Sequence, residues 1–183
     1  MKSPALLVID VQKGLDDPSL GARNNPQAES NIALLLSEWR RRDLPIVHIQ
    51  HCSVEPHSKL RPELPGNAFK PEAQPLPGEQ QFQKTVNSAF IGTGLEDYLR
   101  KRDIASLVLV GLTTDHCVST SARMAKNLGF EVTLVSDATA TFERRGHDGN
   151  RYSAQVMHDI CLASLNGEFC SVRSTEEILK PIR

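Results

Sequence analysis

The sequence has no excess of charge of either sign. Its 21 Lys and Arg against 22 Asp and Glu leave a net charge of -1, so it carries no electrostatic footprint for nucleic acid or an anionic membrane. The basic cluster Arg40, Arg41, Arg42 runs straight into Asp43 and reads as a solvated helix end that complements its own dipole. Long apolar runs are also missing, so no segment approaches a membrane span. Met1-Lys2 leads into a short strand rather than a signal-peptide pattern, and the expected location is cytoplasmic. Cysteine is sparse: Cys52, Cys117, Cys161 and Cys170 form no CxxC pair and no zinc-type spacing. Free thiols are therefore expected, and no cofactor or metal. There is no internal repeat and no low-complexity tract. A chain of 183 residues suits one well-buried domain and is short for two, so a single domain over 1–183 is expected.

What is present is an alternation of apolar runs with amphipathic segments. ALLVID opens the chain as a buried strand ending on Asp10; an unbroken apolar run suits a parallel sheet covered on both faces. Asn25-Pro26 then starts a helix with Ile32, Leu35, Leu36 and Trp39 on one stripe. Pro45 stops it, and Ile46 to Ile49 read as the second strand. Between about 52 and 80 the pattern breaks down, with six of the eleven prolines between Pro56 and Pro77. A segment of this kind inside one domain is a lid or binding loop, expected to fold over the sheet's edge or the site. Gln81 to Lys84 make a brief strand. Thr93-Gly94-Leu95-Glu96 matches a capping box for a helix burying Leu95, Tyr98 and Leu99.

The stretch LVLVGLTTDHCVSTSARMAKNL, Leu107 to Leu128, reads as a buried strand feeding a helix. Thr114 or Asp115 can cap that helix, which puts Cys117 in its first turn, where the dipole would lower the thiol pKa. Gly129 closes the helix, and Glu131 to Val135 give another strand ending at Ser136-Asp137. A charged loop follows from Arg144 to Gly149, then a helical face through Ala154, Met157, Ile160 and Cys161, a strand over Phe169 to Val172, and a terminal helix capped by Ser174 and Glu177. The alternation gives an α/β fold, a three-layer α/β/α sandwich with a mostly parallel, roughly six-stranded, Rossmann-like sheet.

In such sheets ligands bind outside the carboxyl ends of the strands. Asp10 alone could be a turn residue and Lys84 alone an exposed lysine. With Cys117, however, all three fall at predicted carboxyl ends. Together they suit acyl transfer: Cys117 attacks a carbonyl, Asp10 moves the proton, and Lys84 holds Asp10 and stabilises charge. The N–H groups of the Thr113 to Cys117 turn are the candidate oxyanion donors.

These residues carry a resemblance. ALLVIDVQ, Lys84 ahead of VNSAFIGT, GLTTDHCV, VSDATATF and the closing LASLNGEF are similar to the isochorismatase-like cysteine hydrolases. That superfamily includes nicotinamidases, N-carbamoylsarcosine amidase, ureidoacrylate and maleamate amidohydrolases, and isochorismatases. The resemblance covers nearly the whole chain. It implies a catalytic triad of Asp10, Lys84 and Cys117, a cis peptide between Leu112 and Thr113, an oxyanion hole at Thr113 and Cys117, a small-molecule substrate, and a homodimer or homotetramer. Nicotinamidases carry an Asp-x-His metal motif after the second strand, whereas the sequence here is Ile49-Gln50-His51-Cys52. His48, His51 and His57 lack an acidic partner in that motif and read as ordinary histidines. Gln12, Asn87, Ser88 and Phe90 are the candidate pocket residues. The expected activity is cysteine-dependent hydrolysis of a small carboxamide or related C–N bond. Two alternatives stay open: an isochorismatase-type vinyl-ether hydrolase using Asp10, with Cys117 a bystander, and a non-catalytic binding domain that keeps the fold.

Overall fold

The structure, a computed structural model, describes residues 3–180; the outermost residues of the expected 1–183 domain lie outside them. The strands are β1 (Ala5–Ile9), β2 (Ile46–His51), β3 (Gln80–Lys84), β4 (Ser106–Leu112), β5 (Glu131–Ala140), β6 (Arg144–Arg145), β7 (Arg151–Tyr152) and β8 (Ser171–Arg173). The helices are α1 (Ala28–Arg41), α2 (Leu95–Lys101), α3 (Ser119–Asn127), α4 (Ala154–Leu165) and α5 (Thr175–Leu179). Six strands form one sheet in the order β3-β2-β1-β4-β5-β8, and every pairing in it is parallel.

Successive residues of β1 face opposite layers, as strand periodicity requires. Leu6 and Val8 join Val108 and Val110 under Ile32, Leu35, Leu36 and Trp39 of α1, with α5 packed beside them. Ala5, Leu7 and Ile9 join Leu107 and Leu109 under Leu95 and Leu99 of α2, Ala122 and Ala125 of α3, and Leu165 of α4. Because both faces are covered, β1 and β4 are apolar at nearly every position. The result is the α/β/α sandwich expected, with an all-parallel main sheet.

Three local features differ from the sequence reading. First, β5 continues past Val135 to Ala140, and its pairing with β4 shifts register, Leu109 facing Leu134 but Gly111 facing Thr139. The backbone carbonyls around this irregularity are taken up by side chains of the preceding layer. Asn25 Nδ2 donates to Ser136 O at 2.9 Å and Thr139 O at 2.7 Å, and Asn31 Nδ2 donates to Asp137 O at 2.7 Å. Second, the charged Arg144 to Gly149 loop belongs to an antiparallel hairpin of β6 and β7. Third, Thr93 does not cap α2 with a box. Its Oγ1 accepts from Leu95 N at 3.3 Å and donates to Ala89 O at 2.7 Å. The box at Ser174 and Glu177 is complete.

The chain lays β1, β2 and β3 outward in one direction and β4, β5 and β8 in the other. Strand order therefore reverses between β1 and β4, the place where such sheets open a crevice. Gly111, paired with Ile9 at that seam, has φ +125°, and a Cβ there would lie 2.0 Å from the Ile9 carbonyl oxygen. Only glycine lets the two strand ends approach this closely.

Candidate active site

Four chain segments converge on the crevice. Asp10 follows β1 in a left-handed conformation, φ 52°, and is buried. His51 and Lys84 end β2 and β3 as register partners. Cys117 lies beyond β4, after a Leu112–Thr113 peptide that is cis. Sequence reasoning placed Cys117 in the first turn of a side-chain-capped helix. Instead Thr114–Val118 form a π-helical turn ahead of α3, and no side chain caps it. Asp115 is occupied elsewhere, accepting from Thr141 Oγ1 at 2.5 Å and Arg144 Nε at 2.9 Å.

The Lys84 ammonium is the hub. Its Nζ lies 2.6 Å from Asp10 Oδ2, 3.0 Å from His51 Nδ1 and 3.3 Å from Cys117 Sγ, so each of its three N–H groups has one acceptor. Lys84 is only 2% exposed and Asp10 1%. The other Asp10 oxygen, Oδ1, is buried and unpartnered among the described residues.

The electrostatics follow from this burial. Desolvation raises the Asp10 pKa above the ordinary carboxylate value, opposed by Lys84. Burial also pushes the Cys117 thiol up to about 12, reinforced by Asp10 and only partly countered by Lys84. This corrects the expectation of a lowered thiol pKa: burial beside a carboxylate outweighs the ammonium and the helix end. Burial, then Lys84, pull His51 down to about 4, so at neutral pH its ring is uncharged and Nδ1 accepts from Lys84.

A cavity of about 300 Å³ opens over this cluster. Asp10, His51, Asn87 and Cys117 form its reactive end, Leu20, Leu60, Leu112 and Phe142 its apolar walls, and His116 and Arg144 its polar rim. Ser58 and Leu60 bring the proline-rich segment into the lining. That segment is anchored through Asn67, whose Nδ2 donates to the carbonyls of His51 at 2.9 Å and Leu60 at 2.7 Å.

Of the four candidate pocket residues, Asn87 lines the cavity, its Oδ1 3.8 Å from Cys117 Sγ. Gln12 does not. It is fully buried and braces the loop, its Nε2 donating to His51 O at 3.0 Å and Asn67 O at 2.7 Å while Oε1 accepts from His51 N at 2.8 Å. Phe90 also lies away from the cavity, packed on Phe130 with ring centroids 5.9 Å apart. Ser88 Oγ accepts from Phe90 N. The three histidines weighed as ligands are dispersed: His48 is buried against Glu79 at 2.8 Å, His57 is exposed, and only His51 lines the cavity. Sequence reasoning missed His51 as a partner of Lys84, and Arg144 altogether. The first depends on β2 and β3 being neighbours in register, the second on a hairpin that reads as a charged loop.

The all-parallel sheet reverses its strand order where an acid, a lysine and a thiol meet, and the comparisons with known proteins place this fold in a family. The Isochorismatase domain model matches residues 4–164; the chain belongs to the isochorismatase family and is a hydrolase of that family. Isochorismatase family protein YrdC of Bacillus subtilis (strain 168) is 45% identical over 96% of this chain and 94% of its own. A crystal structure of an isochorismatase-family hydrolase from Chromobacterium violaceum ATCC 12472 superposes with a TM-score of 0.94 at 51% identity, covering 97% of this chain and 92% of the other. Nicotinamidase 3 of Arabidopsis thaliana is 28% identical over 80% of this chain and 78% of its own.

Proposed function

We propose that the protein is a cysteine-dependent amidohydrolase that cleaves a small carboxamide or related C–N bond through a thioester on Cys117. The observation that carries this reading is the convergence of Asp10 and Cys117, both lining a small cavity, within hydrogen-bond reach of the Lys84 ammonium. The likeness to a nicotinamidase supports it. A thiol pushed up to about 12 is protonated at rest, so attack must be coupled to proton removal. Lys84 fixes Asp10 through Oδ2 and leaves Oδ1 free, which suits Oδ1 to take the thiol proton. Sγ then bonds the substrate carbonyl carbon, and the carbonyl oxygen becomes an oxyanion facing the N–H groups of Thr113 and Cys117. When the intermediate collapses, the C–N bond breaks and the leaving nitrogen takes the proton from Asp10. A water deprotonated by Asp10 adds to the thioester carbonyl, the C–S bond breaks to release the carboxylic acid, and Asp10 returns its proton to sulfur.

The raised Asp10 pKa also suits a general acid, which keeps isochorismatase-type ether hydrolysis by Asp10 as a second reading. Ammonia release from a panel of small amides and ureides, measured for wild type and Cys117→Ala, separates the two. The thioester route requires loss of at least about 10³-fold in the variant, commensurate with removal of a nucleophile. Retained turnover in Cys117→Ala would sink it, and no turnover of any amide by wild type would count against the amidohydrolase reading.

A further inference from the structure

Asp10, His51 and Cys117 are arranged around Lys84 as ligands are arranged around a metal. A carboxylate oxygen, an imidazole nitrogen and a thiol sulfur lie within 4.8 Å of one another, and the ammonium sits at 2.6, 3.0 and 3.3 Å from them. Three donors on a tetrahedral zinc, with bonds of about 2.0–2.3 Å, stand about 3.3–3.6 Å apart, so contraction by at most about 1.5 Å closes the set. The three donor residues line the cavity and Lys84 does not, so an ion in the cavity faces the donors rather than the lysine. Asp10 Oδ1 is a buried carboxylate oxygen with no partner among the described residues, available to such an ion.

We infer that the crevice is a three-ligand cation site whose resident cation is the Lys84 ammonium, and that a thiophilic divalent ion such as Zn²⁺ or Cd²⁺ competes for it through Asp10, His51 and Cys117, blocking the thiol reversibly. The donor set selects the ion: thiolate and imidazole favour Zn²⁺ and Cd²⁺, while Mg²⁺ and Ca²⁺ demand a shell of oxygens that this site does not offer. On binding, the Cys117 S–H bond breaks, its proton leaves to solvent, and sulfur coordinates as thiolate. Three protein ligands leave a fourth position open toward the cavity. The ammonium opposes binding by its charge, so the lysine sets the affinity, and removing it strengthens the site even though it removes a residue of the proposed reaction. This inference concerns metal binding and stands apart from the substrate chemistry proposed above.

Cd²⁺ titration of the purified protein reads it without any substrate. The expected result is one Cd²⁺ per chain with a thiolate-to-cadmium absorption band, protection of Cys117 from iodoacetamide, and full reversal by a chelator. Cys117→Ser abolishes the band, and His51→Ala weakens affinity at least tenfold. Lys84→Leu, which introduces no ligand atom, tightens it at least tenfold. A band that survives Cys117→Ser, an affinity unmoved by His51→Ala, or a Lys84→Leu variant that is folded by circular dichroism yet binds no more tightly would each overturn the inference. Loss of amide turnover in Lys84→Leu, by contrast, bears only on the hydrolase reading.

Discussion

At Cys117 two neighbours act in opposite directions on one proton. Asp10 raises the thiol pKa and Lys84 lowers it, both on top of the larger cost of burial. Asp10→Asn removes the adjacent negative charge, so the midpoint of Cys117 alkylation against pH falls by about one unit, and alkylation at a fixed pH below it quickens roughly tenfold. Hydrolysis moves the other way, because the same substitution deletes the proposed base. Site-resolved mass spectrometry after iodoacetamide, beside a turnover assay, reads both signs; parallel changes would argue against Asp10 as base. His51 carries a second residue-scale expectation. Buried beside an ammonium, it titrates at about 4 rather than near 6.5, so its imidazole carbon resonances stay those of a neutral ring from pH 7 down to about pH 5. A midpoint near 6.5 by NMR would mean that the ring is neither buried nor faced by Lys84.

Among the elements, legibility followed pattern strength. β1 and β4 are unbroken apolar runs because they lie at the centre of the sheet, and α1 carries a clean stripe, so both kinds of element could be read from the chain alone. The end of β5 could not. Ser136-Asp137 reads as the end of the strand because the side chains that satisfy its carbonyls, Asn25 and Asn31, come from more than a hundred residues away. The site was legible to the same degree. Asp10, Lys84 and Cys117 could be assigned to strand ends, but strand order decides which ends are neighbours, and only that order puts His51 beside Lys84. The seam between β1 and β4 is the most exacting local requirement. Gly111→Ala drives a Cβ into the Ile9 carbonyl at a φ that disfavours any side chain. It should cost about 3 kcal/mol or more in urea unfolding, and a loss below about 1 kcal/mol would show that the seam relaxes. The β6–β7 hairpin makes a contrasting case. Arg144 reaches the cavity rim while bonded to Asp115, so Arg144→Met should leave the unfolding midpoint within a few degrees and raise KM more than it lowers kcat.

Across the whole molecule, the layers and the loop are tied by charges that exist only while their carboxylates are ionised. Glu29 on α1 is bonded by Arg23 and by Lys70, which the proline-rich segment carries and which also bonds Asp16 at 2.5 Å. Lys70 is 4% exposed while Arg23 and Glu29 are half-buried, so this link is a partly buried clamp between the loop over the site and the helical layer behind it. Burial works against the Glu29 charge, but Arg23 and Lys70 outweigh it and hold its pKa down to about 2. Glu79 behaves alike: burial opposes its charge, yet Arg40 above all, with help from His48, brings it down to about 2. Both folded pKa values lie below the unfolded value near 4.5, so their stabilisation is complete above about pH 4.5 and is lost as pH falls toward 2. His48, His51 and His158, also depressed mainly by burial, act earlier. The unfolded chain takes up their protons from about pH 6.5 downward while the folded chain resists, so stability begins to fall there. Glu29→Gln should therefore cost about 2 kcal/mol at pH 7, less than the full pKa shift implies because the clamp is partly solvated. The gap between variant and wild type should close as both are unfolded at successively lower pH toward 2. Urea midpoints measured from pH 7 to pH 3 test this directly: a gap independent of pH would mean that Glu29 contributes through shape and hydrogen bonding rather than through its charge.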